Sequence, residues 1–246
     1  IFSTPGPHTV TYSAITTPGC LVDTVRYVID VPGLPSAIID GTNTVCINGA
    51  PQNIIFSGSG TGPYTFYYHI TPGGGPFNVT SVGSTATIAH NPATAGTFIY
   101  TLDSVRITGS TLCVSPQITG QQATITVNPN HAISLTSANA VQTRCINNAI
   151  TDITYNLSGG ATGATVTGLP AGVTFSVTGS VLTITGIPNP VFAGSSATYP
   201  FTIQTTGNAC LFANASGSIT VNADHTLSLS SASPDRTACI NTAIPA

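Results

Sequence analysis

The sequence predicts an all-β chain built from tandem β-sandwich repeats of about 95 residues, stacked as a rod. Three observations carry this reading: a twenty-residue stretch that occurs twice, a period-two alternation of apolar and polar residues punctuated by Gly and Pro, and a charged fraction of only 4%. The stretch runs from His131 to Ile150 and returns from His225 to Ile244, with eleven of twenty positions identical. A weaker copy surrounds Cys46, where Cys46-Ile-Asn-Gly-Ala50 aligns with Cys145-Ile-Asn-Asn-Ala149. Self-similarity at a fixed period is the mark of a repeat architecture. It divides the chain into 1–33, the C-terminal part of one sandwich; 34–129 and 130–223, two complete sandwiches; and 224–246, the start of a further one. A chain that enters and leaves inside repeats reads as an excerpt of a longer protein.

Each element follows from local pattern. In 1–33, Val10 to Ala14 and Val25 to Val31 alternate between apolar and polar residues and are separated by turn residues, as antiparallel strands are. In 34–129, strands are expected at Asn53 to Phe56, Tyr64 to Ile70, Ala86 to Ala89, Thr97 to Leu102 and Ala123 to Val127, with turns at Ser57 to Gly62 and Thr71 to Pro76. The alternating aromatics Tyr64, Phe66, Tyr68, Phe98 and Tyr100 are assigned to the core. In 130–223, strands are expected at Ile153 to Leu157, in the segments Gly168 to Phe175 and Ser180 to Pro188, and at Ala197 to Ile203, ending in Gly217 to Asn222. Short strands at regular spacing indicate a sandwich, and Gly, Pro and β-branched residues leave no room for an amphipathic helix. No linker is long enough to be a loose tether.

Composition excludes several functions. The four basic residues are Arg26, Arg106, Arg144 and Arg236, the seven acids are all Asp, and Lys, Glu, Met and Trp are absent. Four scattered arginines and a net charge of −3 cannot neutralise a run of phosphates, so nucleic acid is not an expected partner. No apolar run approaches the length needed to span a bilayer. Surface polarity must come from Thr, Ser, Asn and Gly, and low charge favours self-association.

Six cysteines fall into two classes. Cys46, Cys145 and Cys239 sit in Cys-Ile-Asn motifs near the start of a repeat, and Cys20, Cys113 and Cys210 shortly precede a final strand. Pairing within a repeat joins Cys46 to Cys113 and Cys145 to Cys210, leaving Cys20 and Cys239 to pair outside the segment. The rival scheme joins Cys20 to Cys46, Cys113 to Cys145 and Cys210 to Cys239. Both require an oxidising compartment, so an extracellular location is expected. No Cys-x-x-Cys pair or Cys/His cluster suggests zinc, the scattered aspartates form no calcium loop, and no nucleophile elbow or paired-carboxylate arrangement is present. No catalytic residue, metal or cofactor is assigned, and the chain is read as a non-enzyme. His131 and His225 occupy equivalent repeat positions. They are read as linker-shaping polar residues in preference to a metal or pH-sensitive site.

The run Leu169-Pro-Ala-Gly-Val-Thr174, followed by Leu182 to Pro188, Ala197 to Ile203, Gly207-Asn-Ala-Cys210 and Gly217 to Val221, resembles the immunoglobulin-like or PKD-like repeats of very large Bacteroidota surface proteins. Those proteins are substrates of type IX secretion and include gliding-motility adhesins. The resemblance spans 130–223 and is looser over 34–129. It implies a structural or adhesive repeat segment at the cell surface or in a secreted filament. The implied partners are other repeats of the chain, copies of itself, surface or glycan ligands, and the type IX secretion machinery. It also lends meaning to Asp23-Thr24-Val25 and Asp103-Ser104-Val105, which match the O-glycosylation pattern of such bacteria at Thr24 and Ser104. The alternatives are passive spacer repeats in a secreted multidomain enzyme and a carbohydrate-binding module.

Overall fold

The computed structural model describes residues 4–13, 24–60, 62–110, 113–115, 118–190, 195–224 and 240. Among them the chain forms nineteen strands and no helix, the all-β class expected. It divides into two compact units: Ile1–Asn130 with Ala209–Leu211, and His131–Asn208 with Phe212–Ala246.

The first unit opens with a two-stranded antiparallel ribbon, β1 (Gly6–Ser13) and β2 (Thr24–Val31). A sandwich follows, built from β3 (Ala37–Asp40), β4 (Asn43–Cys46), β5 (Gln52–Gly58), β6 (Tyr64–Thr71), β7 (Gly74–Thr80), β8 (Thr85–His90), β9 (Gly96–Ile107), β10 (Val114–Ser115) and β11 (Gln122–Asn128). One sheet is ordered β3-β5-β8 and the other β4-β11-β9-β6-β7, with β10 on β9. All pairs are antiparallel except β4 with β11. The core lies between the sheets, around Ile54, Phe56, Phe66, Leu102, Val105 and Ile125, each fully buried. Of the five aromatics assigned to the core, Tyr64, Phe66, Tyr68 and Tyr100 are buried and Phe98 packs against them partly exposed.

The second unit holds β12 (His131–Leu135), β13 (Val141–Cys145), β14 (Ile153–Gly159), β15 (Ala161–Thr167), β16 (Val173–Thr178), β17 (Val181–Gly186), β18 (Ser196–Gly207) and β19 (Asn214–Asn222). Its sheets are ordered β12-β14-β17-β16 and β13-β19-β18-β15, with β13 parallel to β19. The inward face of β18 carries Phe201, Ile203 and Thr205, and that of β19 carries Ile219 and Val221. That is the alternation a half-buried strand needs.

Both sandwiches follow the immunoglobulin-like plan of two facing antiparallel sheets, but one strand changes allegiance. In the first unit the glycine-rich Thr71–Pro76 segment folds β7 straight back onto β6. In the second, Gly168-Leu-Pro-Ala-Gly172 carries the chain to the other sheet, where β16 pairs with β17. Gly172 has φ +83°, and a Cβ there would lie 2.1 Å from the Ile187 carbonyl oxygen. The Leu-Pro-Ala-Gly-Val motif is therefore a turn that only glycine can close.

Outward faces owe little to charge. Thr198 and Thr220 pair across β18 and β19 with hydroxyls 3.0 Å apart, and Thr167 and Thr202 pair across β15 and β18 at 2.9 Å. Such cross-strand hydroxyl pairs supply the surface polarity that charged residues do not.

Candidate functional site: the cysteine corner

The Cys-Ile-Asn motif builds the same corner in both units. In the first, β4 runs parallel to β11 with Cys46 opposite Asn128. Beyond it the Ile47 amide donates to the Asn128 carbonyl at 2.8 Å, and the Asn48 amide donates to the Pro92 carbonyl at 2.8 Å. The Gly49 amide then closes the turn on the Cys46 carbonyl at 3.0 Å. In the second unit Cys145 lies opposite Asn222. Ile146 donates to Asn222 at 2.8 Å, Asn147 to Pro188 at 2.9 Å and Asn148 to Cys145 at 3.2 Å. Asn48 and Asn147 adopt φ of 60° and 64°, the left-handed region that asparagine tolerates better than other side chains. The motif is thus a strand end, a bond to the last strand and a left-handed turn.

Cys46 is disulfide-bonded to Cys210, with sulfurs 2.04 Å apart. Cys210 is buried, its Sγ lies 3.8 Å from the Asn128 carbonyl oxygen, and the neighbouring Leu211 amide donates to Asn130 Oδ1 at 3.4 Å. Cys113 and Cys145 are free thiols, the first half-buried and the second exposed. This overturns the pairing of Cys46 with Cys113 and of Cys145 with Cys210. It overturns the rival scheme as well, since Cys46 and Cys210 are joined to each other and Cys113 and Cys145 are not. Cys20 and Cys239 lie outside the described residues.

The reason is strand length. Through Asn128 and the β11–β9 register, Cys46 lies level with the start of β9 at Gly96. The Cys113 carbonyl accepts from the Ile107 amide at the other end of β9. Eleven residues at about 3.3 Å each put the two cysteines about 35 Å apart, against the roughly 7 Å between Cα atoms that a disulfide tolerates. In the second unit Cys145 lies level with Ser196 through Asn222, whereas Cys210 follows Gly207, at the far end of β18. Similar spacing of cysteines along the chain made within-repeat loops look closable. What it cannot reveal is that the parallel strand beside β11 places the motif at the opposite pole of the sandwich from the loop before the final strand.

Other candidates are dispersed. His131 is a buried member of β12 rather than a linker residue: Nδ1 lies 2.9 Å from Thr205 Oγ1, Nε2 lies 3.2 Å from the Asn208 carbonyl, and Phe212 meets the ring edge-on. His225 lies outside the described residues. His69 Nδ1 and Asp103 Oδ1 are 2.8 Å apart beside a shallow pocket of about 430 Å³ lined by Thr71 to Pro76. Among the described residues no three His, Cys, Asp or Glu side chains gather as metal ligands, and no helix is long and apolar enough to cross a membrane. Thr24 is exposed at the start of β2, and Ser104 is half-buried within β9, opposite Tyr67.

No family model matches the sequence, and no curated protein matches it. Among solved structures, Drosophila N-cadherin EC1-4 aligns at 11% identity and a TM-score of 0.47, covering 91% of this chain and 59% of that one. Titin A168169 aligns at 11% identity and a TM-score of 0.35, covering 78% of this chain and 99% of that one. Dpr2 Ig1-Ig2, solved in complex with DIP-Theta Ig1-Ig3, aligns at 12% identity and 0.35, covering 89% and 73%.

Proposed function

We propose that the chain is a structural and adhesive segment of a large secreted or cell-surface protein, a series of disulfide-braced sandwiches divided at 1–33, 34–129, 130–223 and 224–246. One observation carries it: the same Cys-Ile-Asn corner is built twice, and one of the two is locked covalently to a cysteine 164 residues away. A bond of that reach limits how far a chain can be stretched and suits an oxidising exterior. The Leu169-Pro-Ala-Gly-Val173 turn and the strands after it support the finer reading, a repeat of the Bacteroidota surface-protein type exported by type IX secretion, gliding-adhesin-like, with Thr24 and Ser104 as O-glycan acceptors. The threonine-lined, charge-poor faces support lateral contact with copies of the chain or with a surface. The carbohydrate-binding alternative gains no platform from Tyr12 and Tyr27, the exposed ribbon aromatics, whose rings stand at 79° to each other. A sugar face requires coplanar rings.

Single-molecule extension between tethered ends tests the reading. Oxidised molecules should show discrete unfolding events and stop short of full length, and reduction should release the missing length. A featureless extension, unchanged by reductant, would sink the load-bearing role.

A further inference from the structure

The first unit shows what an occupied cysteine corner looks like. The tripeptide Ala209–Leu211 belongs to that unit, anchored by the Cys46–Cys210 bond and by the Leu211 amide on Asn130 Oδ1. The second unit reproduces the receiving half. Cys145 stands opposite Asn222 as Cys46 stands opposite Asn128, and the hydrogen bonds of the turn match one for one. Asp224 follows Asn222 by two residues, as Asn130 follows Asn128, so a carbonyl-type side-chain acceptor is offered at the same step. Cys145 is exposed and unbonded there. The presenting half also has a second copy: Cys113 lies between β9 and β11 as Cys210 lies between β18 and β19, each following a twelve-residue strand.

We propose that Cys145 is a receiving thiol for a second segment of the Ala209–Leu211 kind, the cysteine-bearing loop before the last strand of another repeat, and that Cys113 is the matching presenting thiol. The Cys46–Cys210 bond is then one rung of a ladder whose other rungs use these two residues. Cys145 offers more than a thiol, because the equivalent residue in the same chain, in the same hydrogen-bonded turn, holds that ligand. Chemically, the Cys145 thiolate attacks the sulfur of a disulfide that already includes the incoming cysteine. A new sulfur–sulfur bond forms, the old one breaks, and the displaced thiol leaves carrying the electron pair and, at neutral pH, a proton. When both cysteines begin as thiols, a disulfide-bearing oxidant accepts two electrons and two protons and departs as its dithiol.

The inference rests on the repeat-array reading but is tested separately from it. The whole oxidised chain is offered a synthetic peptide of sequence 206–214, Thr-Gly-Asn-Ala-Cys-Leu-Phe-Ala-Asn, its cysteine activated as a pyridyl disulfide. A scrambled peptide of the same composition and activation serves as reference, and adducts are located by non-reducing peptide mass mapping. The native order should label Cys145 at least about tenfold faster than the scrambled one, and Asp224→Ala should shrink that preference several-fold without slowing the scrambled reaction. Equal rates for the two peptides, or a Cys145 already bonded to Cys239 or to Cys113 of its own molecule in the oxidised chain, would overturn the proposal. Either result leaves the extension experiment standing, since that experiment reads the Cys46–Cys210 bond alone.

Discussion

His90 shows how much one buried ring can tie stability to pH. It closes β8 with 8% of its surface exposed, its Nδ1 2.7 Å from the Tyr100 hydroxyl, its ring tilted at 49° against Phe98, and its Nε2 without a hydrogen-bond partner among the described residues. Burial pulls its pKa below the ordinary value of 6.5, so the unfolded chain binds a proton that the native ring resists. The contribution is complete above pH 6.5 and is lost as pH falls through that value towards the lower native one, with a slope of at most about 1.4 kcal/mol per pH unit. Urea unfolding of the first unit between pH 7.5 and 5 should show this decline, and His90→Gln should flatten it. At the corner, Asn147→Gly should leave stability within a few tenths of a kcal/mol, whereas Asn147→Ala should cost the second unit about 1 kcal/mol, because alanine pays for φ of 64°. Equal urea midpoints for the two variants would remove the left-handed turn from the explanation.

Elements were legible in the sequence where alternation was strong and invisible where side chains were small. The runs at Tyr64 to Ile70 and Ala197 to Ile203 announce β6 and β18 because aromatic and branched residues recur every second position. β15, written Ala-Thr-Gly-Ala-Thr-Val-Thr, and β7, which opens inside the segment expected to be a turn, carry too little apolar contrast to be seen. Strand ends were the costlier omission. The pattern stops at Leu102 and Ile203, but β9 continues to Ile107 and β18 to Gly207, and those extra turns of the pleat separate the two cysteine classes. Element identity also rests on single glycines. Gly172→Ala should destabilise the second unit by about 2 kcal/mol or more, since the new methyl meets the Ile187 carbonyl at a strained φ. Thermal unfolding should register the loss there and leave the first unit unchanged.

At the scale of the whole molecule, the disulfide governs extension. With Cys46 and Cys210 joined, 164 residues are withheld from a chain pulled at its ends. At about 3.6 Å per residue, reduction should therefore add about 590 Å to the final contour length. An oxidised chain that reaches the full length would mean that the bond is absent in solution. Cys46→Ser should extend fully with or without reductant, which separates this bond from any other redox effect.

The two cysteine classes sit at opposite ends of the long strands β9 and β18, so neither Cys46 with Cys113 nor Cys145 with Cys210 can close on itself. A closed bond at either cysteine therefore reports that chain from outside its own cysteine pair has arrived, which makes the oxidation state of a sandwich a record of its assembly and not of its own folding.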